Sequence, residues 1–142
     1  NIVPYAKTYN LPVNCEKNIC LKPEMKHGDL YGKQPIEIRY FFESVLNGGV
    51  PLPKVGMVMK KNSTAESGFT AVVGLSAASF YYCPDTVSLS KNRVWSEITA
   101  QIDPVQKKIS CKIPDVNFEY AFFYVTDYRE VSVSSPIFMR TH

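Results

Sequence analysis

Residues 95–139, WSEITAQIDPVQKKISCKIPDVNFEYAFFYVTDYREVSVSSPIFM, alternate apolar and polar side chains in short runs and decide the fold. Successive side chains of a strand point to opposite faces. Starting one residue earlier, Val94, Ser96, Ile98, Ala100 and Ile102 share one face, and Trp95, Glu97, Thr99 and Gln101 share the other. That pattern predicts a half-buried strand over residues 94–102. Asp103-Pro104 ends it, because proline fixes φ and donates no ladder hydrogen bond. Ile109, Cys111 and Ile113 alternate next and stop at Pro114-Asp115. Residues 120–126 are apolar on both faces, as a buried central strand requires. Asp127-Tyr128-Arg129-Glu130 forms a polar tip, after which Val131, Val133, Ile137 and Met139 return on one face. Four consecutive strands joined by short turns, with no helical crossover between them, predict a β-meander.

Upstream, residues 36–44 divide Ile36, Ile38, Tyr40 and Phe42 from Glu37, Arg39, Phe41 and Glu43 and predict another strand. A helix running through Val45-Leu46 to a stop at Gly48-Gly49 is the competing assignment. Pro51 and Pro53 suit the start of an edge strand, and Val55, Met57 and Met59 alternate after them. Residues 60–68 read as a polar hairpin tip, Phe69, Ala71 and Val73 as its return strand, residues 76–83 as an aromatic strand, and Val87 with Leu89 as a short one. Residues 1–34, broken by Pro4, Pro12 and Pro23, are expected to be an arm and loop laid on a sandwich formed by residues 35–142, one domain in all. Eight or nine strands with almost no helix fit an all-β fold of two antiparallel sheets packed face to face.

The closing hairpin, Tyr124-Val125-Thr126-Asp127 through Val133-Ser134-Ser135-Pro136, is similar to that of immunoglobulin and fibronectin type III domains. The resemblance covers about the last 20 residues and implies that sandwich architecture. Trp95 lies between Cys83 and Cys111, a shorter cysteine separation than the immunoglobulin signature has, so only the architecture is implied.

Composition narrows the function classes. The net charge of +3, from 16 basic and 13 acidic side chains, is too small and too scattered for a nucleic-acid groove. No apolar run reaches the length of a membrane helix. Four cysteines, a first residue other than Met and the sequon Asn62-Ser63-Thr64 together predict a secreted glycoprotein with a glycan on Asn62. The expected bridges are Cys15–Cys20, closing a small loop, and Cys83–Cys111, tying strand to strand. A zinc site is disfavoured because only His27 is near the first cysteine pair, so no metal or other cofactor is expected. Catalysis is not expected either. Only His27 and His142 could act as a neutral-pH base, Glu37 and Glu43 would stand about 20 Å apart on a strand, and Gly48-Gly49 lacks the Lys-Ser of a phosphate loop. Glu37 is expected instead to pair with a lysine or arginine across the sheet.

With nine tyrosines, eight phenylalanines and one tryptophan, aromatics are the conspicuous feature. Tyr40-Phe41-Phe42, Phe80-Tyr81-Tyr82 and Phe122-Phe123-Tyr124 each put rings on both faces of a strand, so some rings must lie outside the main core. Phe41, Tyr81 and Trp95 are the candidates for an aromatic patch, and Tyr128 with Arg129 for a recognition tip, since aromatic and arginine side chains dominate interface energetics. The expectation is a non-catalytic extracellular module that recognises another protein, such as a cell-surface protein. The alternative is a carbohydrate- or lipid-binding accessory module of a secreted hydrolase, with rings stacked on sugars.

Overall fold

The computed structural model describes residues 9, 12, 14–23, 25, 28–84 and 93–139. Helices α1 (Asp29–Lys33) and α2 (Ile36–Leu46) precede ten strands arranged as two antiparallel sheets of five, packed face to face as a β-sandwich. The first sheet contains β1 (Lys54–Val55), β2 (Met59–Lys61), β3 (Thr64–Thr70), β6 (Gln101–Asp103) and β7 (Lys108–Lys112). Its order is β1-β3-β7-β6, with β2 also on β3. The second contains β4 (Leu75–Cys83), β5 (Ser96–Thr99), β8 (Tyr120–Asp127), β9 (Ser132–Ser134) and β10 (Phe138–Met139), in the order β10-β8-β4-β5 with β9 also on β8.

The spine of the second sheet is the β4–β8 pair, in which Phe80 stands opposite Phe123 with ring centroids 5.0 Å apart. Both rings, with Ile109, Val125, Val131 and Val133, are fully buried between the sheets. Burying a side chain of this size stabilises the fold by about 1.5–3 kcal/mol. Alternation sends the next residues outward, so Tyr81, Cys83, Tyr120 and Phe122 form a second cluster on the outer face, under Leu21 and Trp95.

Several sequence expectations are corrected. Residues 94–102 are not one strand. The chain leaves the second sheet after Thr99 and joins the first at Gln101, with the Ala100 N–H still bonded to the Ala78 carbonyl at 2.9 Å. The alternation runs through this switch, because Ala100 is buried where the sheets meet. Consequently residues 95–139 are not a meander, since β6 and β7 pair in the first sheet whereas β8, β9 and β10 belong to the second. Residues 60–68 are not a long tip. Lys61 pairs directly with Thr64, which leaves a tight turn at Asn62-Ser63 with Asn62 at a positive φ of 53°. The polar β3 is tolerated because buried Glu66 is paired with both Lys61 and Lys108, which hold its carboxyl below the usual carboxylate range.

Residues 36–44 are helical, not extended. Pro35 precedes the first turn, Glu37 lies within it, and Gly48 with φ 65° ends the helix, while the Asn47 and Gly49 N–H groups both donate to the Glu43 carbonyl. Neither expected disulfide is formed, and none of the four cysteines is in a disulfide bond. Cys83 faces the outer cluster while Cys111 faces the core between the sheets, so their side chains cannot meet. Cys15 is exposed, whereas Cys20 turns towards Tyr124. Val87, Leu89, His27 and His142 lie outside the described residues.

Candidate docking surface

Helix α2 seats its less apolar side on the sandwich. Residues three and four apart share a helix face. Glu37, Tyr40, Phe41 and Ser44 are the buried or half-buried ones, and Tyr40 and Phe41 pack on the main core. Ile38, Phe42, Val45 and Leu46, spaced i, i+4, i+7 and i+8, form the stripe that usually faces a core, yet they face solvent. Phe42 is 55% exposed and Leu46 72%, while Glu37 on the inner side is 6% exposed. Leu30 and Tyr31 of α1 and Val50 after α2 are exposed as well.

Two polar clamps hold the helix in this orientation. At its first turn Glu37 Oε1 accepts from the Ser132 N–H at 3.2 Å and from Lys22 Nζ at 2.9 Å. β9 lies at the border of its sheet, and an unpaired strand edge needs covering. Ser134 N–H donates to the Ile19 carbonyl at 2.8 Å and Leu21 N–H to Ser134 Oγ at 3.0 Å, so residues 19–21 and Glu37 together cover that edge. Burial acts most strongly and lowers the Lys22 pKa, but its bond to Glu37 together with the charges of Cys20, Tyr124 and Glu37 outweighs that and leaves the ammonium above its ordinary range.

The second clamp follows α2. Arg129 Nε and Nη2 donate to Asp127 Oδ2 at 2.9 and 2.6 Å, while Nη1 and Nη2 reach the carbonyls of Val50 and Pro51 at 3.1 and 3.0 Å. The guanidinium also lies 5.2 Å from the Tyr40 ring centroid. Asp127 is fully buried and also accepts from the Arg129 and Val131 N–H groups. Its charge therefore needs the guanidinium.

This geometry separates the residues singled out in the sequence. Arg129 is a structural clamp, with its side chain 16% exposed, whereas its neighbour Tyr128 is 75% exposed and rests on Gly74. Phe41 packs on the main core. Tyr81 stacks on Phe122 at 5.4 Å and Trp95 meets the same ring edge-on at 5.1 Å, so both are half-buried in the outer cluster rather than free. Tyr81, Trp95 and Tyr124 adjoin one another there, while Phe41 and Tyr128 belong to other places. Glu37 has a basic partner, but it is Lys22 of the arm and not a residue across a sheet, since Glu37 is on a helix. Asn62 is exposed at its turn. Ile38, Val45 and Leu46, missed in the sequence reading, were detectable from their i, i+7, i+8 spacing had the helical assignment been preferred.

No helix among the described residues is long and apolar enough to cross a membrane. The arrangement offers an exposed apolar stripe, with Arg39 and Glu43 exposed beside it and Glu37 turned inward. The sequence matches no protein-family model, and a search of the curated proteins finds no match.

Proposed function

We propose that the chain is a non-catalytic binding module of immunoglobulin-type architecture that docks on another protein through the exposed stripe of α2. One observation carries this reading: α2 exposes Phe42 and Leu46 while burying Glu37. Exposed apolar side chains that cluster, rather than lie scattered, mark interaction surfaces. An amphipathic helix face with anchors at these spacings is a recurrent docking element. The clamps at Glu37 and Arg129 favour it further, because a surface ordered in advance loses little entropy on binding.

The strand order supports the architectural part. Letter β1 with β2 as A, β3 to β8 as B, C, C′, D, E and F, and β9 with β10 as G. The sheets then run A-B-E-D and G-F-C-C′, the arrangement of immunoglobulin-type sandwiches. The extracellular placement rests on the Asn62 sequon, exposed at a hairpin turn. A glycan on Asn62 of protein from its native source tests that placement, and an unmodified Asn62 there would remove its support.

The docking test compares wild type with a Phe42→Asp/Leu46→Asp variant and a Trp95→Ala/Tyr128→Ala variant, each used as bait against extracts of the native source. A partner retained by wild type and the Trp95/Tyr128 variant, but lost by the Phe42/Leu46 variant, is the expected outcome. Retention by the Phe42/Leu46 variant overturns the proposal and returns attention to the aromatic sheet face.

A further inference from the structure

We propose that Asn47 is a site of spontaneous modification, losing its side-chain amide to attack by the Gly48 nitrogen and becoming an acid at the end of α2. Asn47-Gly48 is the one Asn-Gly pair in the sequence. Glycine has no side chain to obstruct a neighbour that folds back on its nitrogen. Both residues are exposed, and among the described residues neither the Gly48 N–H nor the Asn47 side chain has a hydrogen-bond partner. Nucleophile and target are adjacent and unoccupied.

The reaction balances with water alone. The Gly48 N–H gives its proton to hydroxide, the nitrogen bonds to Asn47 Cγ, and the Cγ–Nδ2 bond breaks with release of ammonia. Water then opens the cyclic imide. Opening at Cγ leaves aspartate, and opening at the backbone carbonyl carbon leaves isoaspartate, with the chain routed through the side chain. Ring closure requires rotation about ψ of Asn47, which is 7° in the folded chain. That rotation gives up the bond from the Gly49 N–H to the Glu43 carbonyl, 3.1 Å, and leaves the Asn47 N–H bond to the same carbonyl in place. An exposed hydrogen bond exchanged for one to water is a small net loss. Gly48 and Gly49 supply the slack before Val50 and Pro51, whose carbonyls Arg129 holds.

The product changes α2. The C-terminal end of a helix carries partial negative charge, so a carboxylate there is unfavourable. The last turn has no basic side chain to offset it. The new charge also stands next to Leu46, 72% exposed at the end of the stripe, and opposes an apolar partner there. That last consequence rests on the docking proposal, whereas the chemistry does not.

The test incubates the folded chain at mildly alkaline pH, beside a second sample in urea, and maps peptides by mass spectrometry with fragmentation that separates isoaspartate from aspartate. The expected result is conversion of Asn47 in the folded chain ahead of every other asparagine, at a rate within about ten-fold of that in urea, the population cost of one exposed hydrogen bond. Asn47→Gln, whose side chain is one methylene too long for the same ring, should lose the early ammonia release. Conversion more than about ten-fold slower than in urea, precedence of another asparagine, or undiminished early release from Asn47→Gln overturns the proposal. No partner protein takes part, so a negative result here leaves the docking proposal standing, and failure of docking leaves the modification standing.

Discussion

The sandwich and helix α2 distribute polarity in opposite ways. Between the sheets Phe80, Phe123 and Val125 are sealed in, and the one acid at the end of the spine, Asp127, is buried with a guanidinium already on it. On α2 an acid is buried and the leucine and one phenylalanine are outside. A sheet can do the first because alternation separates its faces residue by residue. A helix held by two polar clamps can do the second because these, with only Tyr40 and Phe41 packed on the core, fix it and leave the apolar stripe exposed. The lesson is that the stability of this molecule and its exposed apolar stripe are drawn from different side chains, even where both are aromatic.

Truncating one phenylalanine in each region tests that division most directly. Phe123→Ala should destabilise by about 3–5 kcal/mol, as expected for a large side chain removed from a packed core. Phe42→Ala should change stability by no more than about 0.5 kcal/mol, because more than half the ring is already in water. Urea denaturation of the two variants measures both. A loss above about 2 kcal/mol for Phe42→Ala would mean that the stripe is part of the core and would end the comparison.

The two neighbours at the β8–β9 tip give a second, smaller contrast. Arg129→Ala strands the fully buried Asp127 carboxylate and releases the carbonyls of Val50 and Pro51. Breaking one side of a buried ion pair costs about 3 kcal/mol or more. Tyr128→Ala removes a ring that is mostly solvated, and about 0.5 kcal/mol bounds its effect. Thermal unfolding of both variants orders them. If Arg129→Ala proves as mild as Tyr128→Ala, the clamp is not what holds α2, and the rigid-surface part of the docking proposal falls with it.

How much of this was legible in the sequence follows from how far apart the interacting residues are. Residues 120–126 and the return from Val131 are readable because period-two alternation and a both-sided apolar run need only near neighbours. Ile36, Ile38, Tyr40 and Phe42 satisfy period two, but Ile38, Phe42, Val45 and Leu46 satisfy the helical period in the same stretch, so pattern alone cannot separate them. Tertiary contacts decide: Glu37 meets Ser132, 95 positions away, and that bond exists only if the segment is a helix lying on the β9 edge. Arg129 looked like a recognition residue because its partners at Val50 and Pro51 lie 79 and 78 positions upstream. The crossing between sheets at Ala100 leaves no trace in hydropathy, since a buried alanine suits either sheet. The Cys83–Cys111 assignment failed because spacing does not say which face of a sheet a cysteine takes.

Alkaline titration sharpens the comparison with the smallest effect. Burial raises Cys20 from 9.0 to about 11, burial raises Tyr124 as well, and Lys22 is raised, against its burial, by its bond to Glu37 together with the charges around it; all three interact with Glu37 of α2. In the sandwich core Cys111 alone is raised by burial to about 11 among the described groups. Each group keeps its proton longer in the folded state than in the unfolded one. Each therefore contributes stability that is present below its unfolded value and lost as pH climbs through the folded one, at up to about 1.4 kcal/mol per pH unit for each proton. Stability measured by urea denaturation should fall from pH 9 towards pH 11. A Cys20→Ala/Tyr124→Phe variant should remove more of that fall than Cys111→Ala, because two of the titrating groups are then gone from around Glu37 and only one from the core. The reverse order would place the alkaline weakness between the sheets and leave the seat of α2 indifferent to proton loss.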